Sequence, residues 1–187
     1  EERRMRTDDE PRSLMNEKMM ATIYQEHPYR HPVIGWMSDL EALKVSDAKA
    51  WYDRWYAPNN ATLVIAGDVK AAEVFALAQR YYGPIPRRAQ PPRRVFTEPQ
   101  QIGIKRLAVK APAELPHLVM SYRAPTLRNP EQDWKPYALD ILAGVLDGND
   151  SARLNKHLVR EQQIASGASA DYESASRGPG LFTLAAT

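Results

Sequence analysis

Tyr56-Ala57-Pro58-Asn59-Asn60-Ala61-Thr62-Leu63-Val64-Ile65-Ala66-Gly67-Asp68-Val69 is the stretch on which the reading of this chain turns. Pro58 cannot continue a helix, and two asparagines after it favour a turn. Ala61 to Ala66 is then a short apolar, β-branched run, the composition of a buried strand. Gly67-Asp68 turns that strand into a helix on which Val74, Leu77, Ala78 and Tyr81 share one face. Gly83-Pro84 stops it. A helix, a strand and a second helix joined by tight turns predict helices layered against a sheet.

Upstream, Ser46 is placed to cap a helix bearing Ala48, Trp51, Tyr52, Trp55 and Tyr56 on one broad face, and Ser38-Asp39-Leu40-Glu41 has capping-box spacing for a shorter one. Residues 1–26 read as helical, with Met15, Met19 and Ile23 recurring every four residues and Pro11 marking a kink or a fresh start. The loop His27-Pro28-Tyr29-Arg30-His31-Pro32 is punctuated by two prolines. Downstream, residues 84–94 are dominated by Pro and Arg and predict an extended linker with no core of its own. Beyond it the pattern changes. Residues 102–109 and 118–122 read as strands. Trp134, Ala138, Ile141, Leu142 and Val145 mark the inner face of a helix that Pro136 complicates. Asp147 to Asp150 is a turn, Ser151 is placed to cap another helix, and residues 165–175 and 181–186 form a hairpin around Arg177-Gly178-Pro179-Gly180.

Composition narrows the function classes. The chain has 187 residues, 43% of them hydrophobic, so it can bury a core. Its 25 basic and 23 acidic residues leave a net charge of +2. That balance argues against a nucleic-acid binder, which carries a clustered basic face. With no cysteine, disulfides, thiol nucleophiles and Cys-based zinc sites are excluded. No apolar run is long enough to span a membrane. The lack of cysteine suits a periplasmic or envelope-associated setting, though many cytosolic chains share it. The chain starts at Glu1-Glu2 rather than Met and ends in a strand-like run, and we read it as an internal piece of a longer protein.

The quoted stretch resembles the Y-x-P-N-N-a-x-L-v-v-x-G-D-v segment of the insulinase/pitrilysin zinc metallopeptidases and the related mitochondrial processing peptidases. His27-Pro28-Tyr29 with Pro32-Val33-Ile34-Gly35 resembles their H-P-Y-x-x-P-v-i-G loop. Ser151-Ala152-Arg153-Leu154 with Leu158-Val159-Arg160-Glu161 resembles their S-S-R-L…L-R-E helix. The matches run from near the start to past residue 160, in family order. The resemblance implies an α+β, metalloprotease-like sandwich with an antiparallel sheet flanked by helices. It implies parts of two similar domains: residues 1–83 from the end of the metal-bearing domain, 84–95 as linker, and 96–187 from the start of the second, non-catalytic domain. It also places the His27 loop near the first domain's core.

Family members hydrolyse peptides with zinc held by an inverted H-x-x-E-H motif and a third, downstream Glu. The Glu between the two His is the general base for a zinc-bound water. The tail of the family's ligand helix, E-R-x-v-v-x-E-E, fits Glu1-Glu2-Arg3-Arg4-Met5. The resemblance therefore makes Glu2 the third zinc ligand of the parent protein, with Glu1 the alternative if the register shifts by one; chemistry alone reads both as solvated carboxylates. None of His27, His31, His117 and His157 lies in an H-x-x-E-H arrangement. The expectation is a peptidase fragment that carries no catalytic residue, binds no zinc by itself and is inactive alone. Its parent would need zinc, a peptide substrate, and the other half or a partner subunit. The alternative is a non-catalytic paralogous half acting as scaffold.

Arg160 matches the Arg of the family pattern L-R-E-x-x-G-L-x-Y, where an Arg–Tyr pair holds substrate. Gly167 occupies the Tyr position, so Arg160 stands between substrate binding and a cation complementing a helix end. His27 and His31 have a metal-clamping spacing, but Pro28 removes the helix that spacing needs. The Trp51 to Tyr56 aromatics read as packing rather than a stacking platform, and the linker arginines as solvated charges. Asn60-Ala61-Thr62 matches a glycosylation acceptor but runs into the expected buried strand.

Overall fold

The computed structural model describes all 187 residues and divides into two compact units. One comprises Glu1–Ile34 with Phe96–Thr187, the other Gly35–Val95.

The first unit is built on a three-stranded antiparallel sheet in the order β1-β3-β2, with β1 at Leu118–Ala124, β2 at Ala168–Tyr172 and β3 at Gly180–Ala186. β2 and β3 form the expected hairpin, with Tyr172 opposite Phe182 and Ala168 opposite Ala186. β1 pairs the other side of β3, Ser121 facing Thr183 and Tyr122 facing Phe182. Helix α1, Pro11–Ile23, begins on its proline, which needs no hydrogen-bond acceptor in the first turn, and Glu10 Oε1 accepts from Arg12 N at 3.5 Å. A π-helical turn, Arg4–Asp8, precedes it. The buried Arg3 holds that turn to α1 through Glu17, 2.8 Å away. α1 lies beside β1, where Ser121 Oγ donates to Met19 Sδ at 3.7 Å.

In this unit the last helix, Trp134–Asp147, carries Pro136 at its third position, fully buried. Amides of a first turn have no intrahelical partner, so the proline removes nothing there. This helix packs on β2. Asp147 ties the corner: one carboxylate oxygen accepts from Ala170 N at 3.3 Å and the other from Asn155 Nδ2 at 3.1 Å. The periodicity assigned Trp134, Ile141, Leu142 and Val145 to the core, yet all four are exposed. Residues 102–109 form no strand either.

The second unit holds Met37–Ala42 (α2), Val45–Trp55 (α3) and Ala71–Tyr82 (α4), so the helix at Trp134–Asp147 is α5. The caps differ from expectation by a residue or two. Trp36 and Lys44, not Ser38 and Ser46, occupy the N-cap positions. Asp47 Oδ2 accepts from Lys44 N at 2.9 Å, supplying the carboxylate half of a capping box. On α3 the aromatics stack along the helix, Tyr52 on Tyr56 at 4.8 Å and Trp51 near Trp55 at 5.6 Å.

The quoted stretch shows its turn and helix, with α4 starting at Ala71. Ala61 to Ala66 is not a buried strand: no segment pairs with it and Val64 is 82% exposed. A strand forms only where a neighbour takes its backbone groups. The two asparagines have definite work. Asn60 Nδ2 donates to Trp55 O at 2.8 Å, closing the end of α3. Asn59 donates to Arg88 O at 2.9 Å and accepts from Arg88 N at 3.0 Å. Arg88 Nη1 also donates to Asp53 O at 3.0 Å, so part of the linker is pinned rather than freely solvated.

Candidate functional site

Glu2 lies on the first turn, exposed, with its carboxylate 3.3 Å from Arg6 Nε. Glu1 pairs with Arg4 at 2.8 Å. A zinc site needs three protein ligands, and no three His, Asp or Glu side chains converge in this chain. The imidazoles that could contribute are engaged locally. His27 Nδ1 accepts from Tyr29 N at 3.2 Å, His117 Nδ1 lies 2.8 Å from Thr187 Oγ1, and His157 Nδ1 lies 2.6 Å from Glu161. The residues of this chain do not make up a zinc site among themselves.

Arg160 sits near the end of the π-helical turn Asn155–Glu161, with its side chain in solvent. Gln163 follows in the left-handed region at φ 53°. That conformation commonly closes a helix and is usually taken by Gly. The family pattern places its Gly at Ile164, one residue later. Gly167 stands at the position of the family's Tyr, next to Ser166. Ser166 is committed to the sheet end, its N and Oγ both donating to Thr187 O at 2.7 and 3.1 Å. The structure brings neither Glu2 nor Arg160 to a shared cleft.

What it does assemble is a polar centre that the motifs did not announce. Glu98, just past the linker, has a side chain only 4% exposed. Its carboxylate accepts from three successive amides at the end of α1: Gln25 N at 2.6 Å, Glu26 N at 2.9 Å and His27 N at 2.7 Å. Arg123 of β1 completes it with Nη2 at 2.8 Å. The same guanidinium donates to Ile23 O at 2.9 Å and to Pro99 O. Burial pushes the Glu98 carboxyl up, but the three amides and the guanidinium outweigh it and hold the pKa at about 2. One buried charge thus ties α1, the post-linker segment and β1. A lone Glu in an extended stretch carries no pattern, so only the fold reveals it.

The His27-Pro28-Tyr29 loop adjoins this centre. It packs against residues 176–179, between β2 and β3. Tyr24 is fully buried and donates to Pro179 O at 2.8 Å; burial, with Tyr29 close by, raises its phenol to about 12. Burial lowers the pKa of His27, despite the carboxylate of Glu98 nearby.

Residues 42–187 match the model of the peptidase M16 inactive domain. The zinc protease PqqE of Helicobacter pylori is 30% identical over 169 residues, covering 89% of this chain and 37% of that protein. A crystal structure of a protease from Helicobacter pylori superposes at a TM-score of 0.86 with 28% identity, over 99% of this chain and 44% of the other. The peptidase M16 inactive domain of Pseudomonas fluorescens superposes at 0.69 with 18% identity, over 96% and 42%, and speaks to the fold alone. The chain thus spans about two fifths of the length of the relatives it matches.

Proposed function

The chain belongs to the peptidase M16 inactive-domain family, and from that premise we propose that it is the non-catalytic part of a zinc-dependent endopeptidase that cuts peptides between two half-chambers. Under this reading residues 1–83 close the metal-bearing domain, 84–95 link, and 96–187 open the second domain. The supporting observation is the combination of family motifs in order with Glu2, or Glu1 one residue earlier, matching the tail of the family's ligand helix. Zinc would be held by Glu2 together with two His supplied from outside this chain, and would activate water for attack on the peptide carbonyl. Arg160, free in solvent at a helix end, would meet the substrate backbone without the Tyr partner of the family pattern. A periplasmic or envelope setting goes with this reading.

Two measurements test it. This chain alone should cleave no peptide and take up no stoichiometric zinc in titration. In a longer protein that carries the upstream H-x-x-E-H motif, Glu2→Gln should lower bound zinc, with activity falling in parallel. Unchanged zinc stoichiometry would remove Glu2 from the ligand set, and absence of the upstream motif would make the whole protein a scaffold half.

A further inference from the structure

The His27 loop meets the turn Arg177-Gly178-Pro179-Gly180 in a way that the peptidase reading neither uses nor requires. Tyr29 Oη accepts from Gly178 N at 2.9 Å and lies 3.4 Å from Ser176 Oγ. Tyr24 Oη donates to Pro179 O at 2.8 Å. From the other side Arg128 donates to Arg177 O at 2.6 Å and to Gly178 O at 3.1 Å, and Thr126 Oγ1 donates to Gly178 O at 3.2 Å. The backbone groups of the turn are therefore met by side chains rather than by a tight hairpin ladder.

The steric fit points the same way. A Cβ on Gly178 would lie 2.6 Å from His27 Cε1, 2.6 Å from Tyr29 Cε2 and 2.8 Å from Tyr29 Cζ. Those are atoms of two rings packed against each other. His27 and Tyr29 stand edge to face at 4.4 Å, Tyr24 packs against Tyr29 at 5.9 Å, and Phe96 closes the far side of His27 at 6.2 Å. Pro28 and the short 3-10 turn Pro28–Arg30 fix the spacing between the two rings. Only glycine leaves room for both.

We propose that the His27-Pro28-Tyr29 loop is a clasp closed on the 176–180 turn, that Gly178 is the slot it grips, and that this clasp holds residues 1–34 and 96–187 together as one unit. His27, Tyr29 and Tyr24 are positioning residues. They set where the N-terminal segment rests on the sheet, whatever that segment goes on to bind.

Hydrogen exchange read by mass spectrometry on the full chain tests this, with trypsin scission at the exposed Arg177 as a second readout. Tyr29→Phe keeps the ring and loses the acceptor for Gly178 N. It should speed exchange about tenfold in both residues 24–30 and 176–180, since local opening of a clasp frees both sides, while α4 stays unchanged. Gly178→Ala should do the same and, by opening the turn's backbone, speed trypsin cleavage after Arg177. In a His27→Ala/Tyr29→Ala background the rings are gone, so Gly178→Ala should add less than about twofold. A full effect of Gly178→Ala in that background would overturn the proposal. So would acceleration confined to one side under Tyr29→Phe.

Discussion

Replacing Glu98 by Gln should remove both stability and acid sensitivity from the first unit. The carboxylate is buried at 4% exposure and meets four donors between 2.6 and 2.9 Å. Its pKa falls from 4.5 to about 2 on folding, and each unit is worth about 1.4 kcal/mol, so the charged form contributes about 3 kcal/mol. The sign follows from the direction of the shift. Because the folded pKa is depressed, this stability is complete above pH 4.5 and drains away as pH falls toward 2. An amide keeps the shape but turns an NH2 toward backbone N–H donors and leaves the Arg123 charge with its carbonyl partners alone. Urea unfolding followed by circular dichroism at pH 7 should show a loss of about 3 kcal/mol for Glu98→Gln. Between pH 4.5 and 2.5 the wild-type midpoint should fall more steeply than that of the variant. Parallel pH profiles, or a loss below about 1 kcal/mol at pH 7, would refute the reasoning.

Two further outcomes are expected. Arg3 and Glu17 form a pair 2.8 Å apart with side chains 7% and 4% exposed, so Glu17→Gln leaves the buried guanidinium with only the longer contact to Asp8 at 3.4 Å as its carboxylate partner and should cost about 2 kcal/mol, read by the same unfolding assay; Lys18, 3.7 Å from Glu17 and half in water, should matter far less. In the second unit Asp47→Ala removes the acceptor for Lys44 N and should destabilise α3 by about 1 kcal/mol, visible as faster exchange at residues 45–48 and nowhere in the sheet.

Much of this molecule was legible in its residues, and where it was not the cause is physical. Pro11 at a helix start, the β2–β3 hairpin, α4 after Gly67-Asp68 and the family motifs in order could all be read, because proline geometry, turn chemistry and periodicity act over a few residues. The expected strands at 61–66 and 102–109 are the counterexample. Their composition is right, but a strand also needs a neighbour for its backbone, and composition says nothing of the neighbour. The inward face assigned to α5 failed for a related reason, since periodicity names a face without saying what covers it. α5 has β2 to pack on, and Trp134 and Ile141 remain in solvent.

The candidate site divides along the same line. Glu2 and Arg160 came from motif matching and stay apart, each in solvent. Glu98, Arg123 and Gly178 belong to no motif, yet Glu98 and Arg123 join three segments of the chain and Gly178 meets two rings. By itself the sequence determined the family, the helical segments and the absence of an H-x-x-E-H motif, all properties of residues close together in the chain. Only the tertiary structure decided that residues 23–29 close onto Glu98, Arg123 and Gly178. Those partners lie 71 to 149 residues away in the chain, and nothing local encodes which carboxylate will meet three free amides or which glycine will face two rings.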